Sequence, residues 1–138
     1  LTESALPKEL ASLVEVLTRL RMAGFGLALD DFGTGMANFD LLRTLPFHEL
    51  KIDRSLAQAA EHDALSAGII ETCATITREL NMTLVAEGVE TEAQEKVLKR
   101  LGVSIFQGFL FGKGIPAAEF LERLRSNITE SGQHVVNA

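Results

Sequence analysis

Residues 27–35 read LALDDFGTG, an apolar run that closes on two adjacent carboxylates, Asp30 and Asp31, followed by Gly33, Thr34 and Gly35. Adjacent carboxylates repel, and at the end of a buried strand they call for a cation unless the strand ends in a solvated turn. A DD pair before glycine is by itself most often such a turn. The GTG could cradle a phosphate, although a short glycine pair is more often only a turn. Further along, LKID carries Lys51 and Asp53, LVAEGVE carries Glu87, and IFQGF carries Gln107, each beside an apolar run. Carboxylates, an ammonium and an amide gathered in one place make a hard-cation site whose oxygen donors suit Mg²⁺ or Mn²⁺. Two such ions sharing a carboxylate would polarise a phosphoryl group. A lysine beside the attacking water would hold it in line or lower its pKa.

That chemistry needs elements that bring the four segments together. Leu10, Leu13, Val14, Leu17 and Leu20 recur at helical spacing between Pro7, suited to a first turn, and Gly24, suited to a stop. FGLALDD then reads as a strand, ANFDLLRTLP as a short helix ended by Pro46, and ELKID as a second strand. A long helix follows Asp63, with Leu65, Ile69, Cys73, Ile76 and Leu80 as its apolar stripe. MTLVAEGVE is a third strand, and Thr91 with Gln94 three residues on predicts a capping box for a helix stopping at Gly102. VSIFQGFLF reads as a fourth strand, and Pro116 opens a last helix. Strand–helix alternation predicts an α/β fold of parallel strands, either an open doubly wound sheet or part of a barrel. In both, the carboxyl ends of the strands converge on one mouth.

Composition narrows the classes. The 138 residues suit one domain, and a formal charge of −6 argues against general nucleic-acid or anionic-membrane binding. No stretch approaches the roughly 18 apolar residues of a membrane span, and no signal peptide opens the chain, so a cytoplasmic location is expected. Cys73 is the single cysteine, which leaves neither a disulfide framework nor a cysteine-rich zinc site. His48, His62 and His134 are scattered and read as surface or turn residues. The phenylalanines, among them Phe106, Phe109 and Phe111, read first as packing.

Taken together, LALDDFGTG, LPFHELKIDRS, LVAEGVET and FQGFLFGKGIP resemble the EAL family of bacterial signalling domains in order and spacing, from Leu1 to about Leu124. The resemblance implies the C-terminal half of a modified TIM (β/α) barrel over residues 1–126, with a polar tail at 127–138. It implies hydrolysis of cyclic di-GMP to linear pGpG with two Mg²⁺ or Mn²⁺ ions. Asp30 would bridge the metals, Asp31 and Glu87 would serve the second, Lys51 would orient or activate the water, and Gln107 would sit beside it. Gly33, Thr34, Gly35 and Phe109 fall in the substrate-binding set. Glu3 matches the second glutamate of the family's E-x-T-E motif, which braces the loop after the aspartates.

Departures from the family pattern set further expectations. A TIM barrel takes about 250 residues. The E-A-L tripeptide, the asparagine that follows it and the first glutamate of E-x-T-E have no counterpart in this sequence. With Asp30 alone from that set, the first metal site is expected to be incomplete and this polypeptide inactive by itself, while the longer parent is expected to be active, and membrane tethering of that parent is left open. The alternative is a non-catalytic module that binds cyclic di-GMP or a protein partner. Met36, Ala37 and Asn38 replace the usual Tyr-Ser-Ser, and Gly112-Lys113-Gly114 replaces Ser-Lys-Pro. Half a barrel leaves strand edges and one apolar face uncovered, which predicts a homodimer or domain-swapped assembly.

Overall fold

The computed structural model describes residues 6–33, 39–122 and 124–125. Helix α1 (Leu6–Met22) ends where Gly24, at φ 88°, turns the chain. There the N–H of Phe25 donates to the Leu20 carbonyl at 3.0 Å and closes the last turn. Strand β1 (Ala28–Phe32), helix α2 (Phe39–Thr44) and strand β2 (Glu49–Ile52) follow. Next come α3 (Arg54–Ala59), α4 (Ala64–Glu79), β3 (Thr83–Ala86), α5 (Glu92–Arg100) and β4 (Ile105–Phe106). A further helical segment occupies 117–122.

The strands form one four-stranded sheet in the order β1-β2-β3-β4, and every neighbouring pair is parallel. A doubly wound sheet reverses its strand order at a switch point. This one advances one place at each crossover, as a barrel does. The sheet is therefore half-barrel in kind, and the two architectures left open by alternation alone resolve to one.

Leu50, Ile52, Ala86, Ile70, Cys73, Val89 and Leu98 are fully buried and form the centre of the core. On β2 the period of two sends Leu50 and Ile52 to the helix-covered face and leaves Lys51 for the other. On β3, Leu84, Val85 and Ala86 are all buried, as expected of a parallel strand covered on both sides. Truncating a fully buried aliphatic such as Ile70 to alanine costs about 2–5 kcal/mol.

Three expectations need correction. Helix α3 was not predicted: Asp53 is its N-cap rather than a strand-end carboxylate at the mouth, accepting from the Ser55 N–H at 2.8 Å and from the Ser55 hydroxyl. The buried stripe of α4 is Ser66, Ile70, Cys73, Ala74 and Thr77, whereas Leu65 and Leu80 are exposed. Small residues let that face approach α3 and β3 closely. Thr77 can be buried because its hydroxyl donates to the Cys73 carbonyl at 2.9 Å. The fourth strand pairs only over Ile105–Phe106 instead of the whole apolar run, because Gly108 and a turn at 109–111 lead the chain away.

The caps follow the sequence. Asp63 accepts from the N–H groups of Leu65 and Ser66, and Thr91 with Gln94 forms the capping box of α5. The apolar stripe of α1 is only partly covered: Leu13, Val16 and Met22 remain exposed, as does Phe25 beyond the helix end.

Candidate metal and phosphate site

The site begins with an irregularity in β1. Leu29 pairs with Leu50 but Phe32 pairs with Ile52, so β1 spends one residue more than its partner over the same interval. In a regular strand Asp30 and Asp31 would point to opposite faces. The extra residue is a bulge, and Asp31 sits in it at φ 54°, left-handed backbone that aspartate tolerates better than most residues. As a result both carboxylates reach the same place. Carboxylate oxygens of Asp30, Asp31 and Glu87 all lie within 4.8 Å of one another.

Two oxygens on opposite sides of a cation with bonds of roughly 2.3–2.6 Å would be separated by about that distance. Three carboxylates of this spacing are hard oxygen donors, a set suited to Mg²⁺, Mn²⁺ or Ca²⁺ rather than to a soft metal. The donor chemistry and spacing therefore fit a divalent cation.

Lys51, on the adjacent strand, reaches the same cluster. Its ammonium pairs directly with Glu87 and lies 3.4 Å from Asp30. The hydrogen bond to Glu87 raises the Lys51 pKa above its ordinary value; the charges of Glu87 and Asp30 add to this and partial burial opposes it. Lys51 is thus a cation at neutral pH that donates hydrogen bonds within the cluster.

Glu87 follows β3, and its N–H donates to the Ile52 carbonyl at 3.1 Å. Gln107 follows β4, its N–H donating to Ala86 at 2.8 Å while its carbonyl accepts from Val89 at 3.1 Å. Both residues line a cavity of about 240 Å³ together with Arg54, Gly88, Glu90, Gly108 and Phe109. The geometry so gathers Asp30, Asp31, Lys51 and Glu87 by direct proximity, and Gln107 and Phe109 by a shared wall. A larger cavity of about 560 Å³ continues past Gln107 and Phe109 along Phe111, Lys113 and Phe120. Gly33 follows the bulge at φ 113°, where a Cβ would come within 2.7 Å of Leu56. Glu3, Thr34 and Gly35, and the loop residues Met36, Ala37 and Asn38, lie outside the described residues.

Sequence reasoning missed Arg54, Gln58 and Glu90. Arg54 pairs with Glu90 at 2.7 Å, and the Gln58 amide donates to the Gly88 carbonyl at 3.0 Å. The Asp53-x-Ser55 spacing after a strand is an N-cap signal that would have exposed α3 and hence these positions.

Comparison with known proteins bears on the family and the fold. The EAL domain family model matches residues 1–114. The chain is 42% identical over 120 residues to the bifunctional diguanylate cyclase/cyclic di-GMP phosphodiesterase MucR of Pseudomonas aeruginosa, covering 87% of this chain and 18% of that protein. The solved PaMucR phosphodiesterase, a c-di-GMP complex, superposes with a TM-score of 0.71 at 46% identity, over 80% of this chain and 44% of that one. The Klebsiella pneumoniae BlrP1 manganese/cy-diGMP complex gives a TM-score of 0.68 at 36% identity, over 72% of this chain and 25% of that one. This chain thus spans less than half the length of each. With its motifs, its half-barrel sheet and these matches in agreement, the chain belongs to the EAL domain family.

Proposed function

We propose that this chain supplies the C-terminal half of a site that hydrolyses cyclic di-GMP to linear pGpG. The observation that carries the reading is the convergence of Asp30, Asp31 and Glu87 within 4.8 Å beside the Lys51 ammonium. The similar structures contain c-di-GMP and, in one, manganese. Asp30, Asp31 and Glu87 would hold Mg²⁺ or Mn²⁺, which when bound supplies Lewis-acid charge at the phosphoryl group. Lys51 donates a hydrogen bond to the attacking water or to a phosphoryl oxygen and orients it. The water oxygen bonds to phosphorus as the P–O bond to one ribose 3′ oxygen breaks; the bonding pair leaves on that oxygen, which takes up the proton the water gives up, and the ring opens to linear pGpG. Gln107 donates or accepts at the same wall, and Phe109 presents an apolar face to the ligand. Gly33, Thr34 and Gly35 belong to the proposed substrate loop, and Glu3 to its brace.

A second reading concerns the 138-residue chain taken alone. Among the described residues the carboxylate cluster has three members, fewer than two six-coordinate cations need. Binding without turnover is therefore expected of this polypeptide, with turnover requiring further ligands. The half-barrel unit is proposed to extend over 1–126. Exposed Leu13, Val16, Met22 and Phe25 support self-association as a homodimer or swapped assembly; a sedimentation profile that stays monomeric at high concentration removes that part.

The test is calorimetric titration with cyclic di-GMP, with and without Mn²⁺, followed by chromatography for pGpG. Metal-dependent binding supports the site. Absence of metal and ligand binding overturns it for this chain, and pGpG formation by the chain alone overturns the expectation of inactivity.

A further inference from the structure

Glu87 stands where strand gives way to loop: its N–H still donates to the Ile52 carbonyl of β2 at 3.1 Å, while the residues after it leave the sheet. Residues 87–90 leave β3 and turn sharply at Gly88, whose φ of 66° and proximity to the Arg54 stem leave no room for a Cβ. Such a loop needs partners to hold one geometry, and two of them come from the same side of one short helix. Gln58 Nε2, half-buried, donates to the Gly88 carbonyl at 3.0 Å. Arg54 Nη2, a turn earlier on α3, pairs with Glu90 Oε1 at 2.7 Å. Helix α3 is itself fixed to the end of β2 by the Asp53 cap, and the Asp53 N–H donates to the Phe32 carbonyl of β1 at 3.1 Å. The loop's other side is tied to the segment after β4, where the Val89 N–H donates to the Gln107 carbonyl and the Leu110 N–H to the Val89 carbonyl, both at 3.1 Å.

We infer that Gln58 and Arg54 are positioning residues that clamp the 87–90 loop and so set the Glu87 carboxylate against Asp30 and Asp31. Neither touches the cluster. They act through the backbone on which Glu87 is mounted, as groups beyond the ligands of a metal orient those ligands. The fork of Arg54 and the amide of Gln58 grip the loop at Glu90 and at Gly88, on either side of Val89, so that loss of one loosens the loop without dissolving it. The inference rests on the proposed metal site for its functional reading, but the mechanical part stands without it.

The test uses the full 138-residue chain and the variants Gln58→Met, which keeps length without a donor, and Arg54→Met. Gln58→Lys, which restores an N–H donor, is the rescue. Amide hydrogen exchange is read at Glu87 and Val89 relative to the β3 amides, in the absence of metal. Exchange at Glu87 and Val89 is expected to quicken about 10-fold in Gln58→Met and about 2- to 5-fold in Arg54→Met while β3 holds, and to slow again in Gln58→Lys. Calorimetry with Mn²⁺ is expected to show an affinity loss of about 10-fold in the methionine variants, at unchanged urea midpoint. Unchanged exchange at both amides overturns the clamp, as does acceleration shared equally by β3. If the parent chain fails to bind Mn²⁺, the metal reading falls while the exchange ratios still decide the clamp. If the parent binds and the variants bind equally, the clamp does not set Glu87 and the inference falls.

Discussion

The backbone N–H of Asp31 donates to the side-chain Oδ1 of the residue before it, Asp30, at 3.0 Å. Both residues belong to a bulge of β1, in which Asp31 takes left-handed backbone at φ 54°. It turns two neighbours that a regular strand would send to opposite faces into one anionic corner. Strain of this kind gathers where a function over-determines the backbone.

Asp31→Gly removes both the left-handed cost and one of the crowded charges. It is expected to stabilise the apo chain by about 1 kcal/mol, seen as a melting temperature raised by roughly 3–5 °C. The same variant loses a proposed cation ligand. In the parent chain, Mn²⁺ at about 100 times its dissociation constant should add about 2.7 kcal/mol of stability. That increment should shrink in Asp31→Gly, as in Asp30→Asn and Glu87→Gln. A glycine variant less stable than the parent without metal would contradict the strain argument.

Lys51 and a divalent cation compete for the same carboxylates. Lys51→Met is therefore expected to strengthen Mn²⁺ binding in calorimetry while weakening hydrolysis in the complete domain, opposite signs from one substitution. The pH dependence follows from the raised Lys51 pKa, caused first by its hydrogen bond to Glu87. A raised pKa means that the pair's contribution is fully present below the ordinary 10.5 and is lost as pH rises through the higher folded value. On the alkaline side of neutrality, denaturation midpoints of parent and Lys51→Met should accordingly converge only in strong alkali. A gap that closes near neutral pH would contradict the assignment.

Gly108 is required by space rather than by conformation. A Cβ there would overlap the Val89 backbone, which cannot yield as a flexible side chain does. Gly108→Ala should cost about 1–3 kcal/mol or more and shift the amide resonances of Glu87 to Glu90 and of Gln107. Retention of parent-like chemical shifts in that segment would mean that the two loops are less closely packed than described.

Asp63 caps α4, and its carboxyl is held below its ordinary 3.8 chiefly by the Ser66 hydroxyl, with the N–H groups of Ser66 and Leu65 adding. A lowered pKa gives stability present above the ordinary value and lost as pH falls through the folded one. Asp63→Ala should lower the urea midpoint at neutral pH, and the difference should narrow below pH 3.8. Asp63→Asn, which keeps an acceptor, should sit closer to the parent at neutral pH. A difference independent of pH would show that the charge of the cap contributes nothing.

What the sequence by itself determined is the set of local signals: an alternation of strands and helices, the Asp63 cap, the Thr91–Gln94 capping box, the Gly24 stop, and the residue types that make a hard-cation site. These are legible because each depends on a few neighbouring residues. The motifs at Asp30–Asp31, Lys51, Glu87 and Gln107 also marked the family, since their order survives whatever the loops do. Tertiary structure alone decided the rest. Periodicity could not choose the buried face of α4, because Leu65 and Ile70 lie on neighbouring stripes and only contact with α3 and β3 selects the smaller one. Nor could it find the bulge, since a single extra residue in β1 is defined by the register of β2. Helix α3 was hidden behind an aspartate that looked like a ligand and proved to be a cap. The grip of Arg54 and Gln58 on the Glu87 loop joins residues some thirty positions apart, and such a contact exists only once the strands between them have paired.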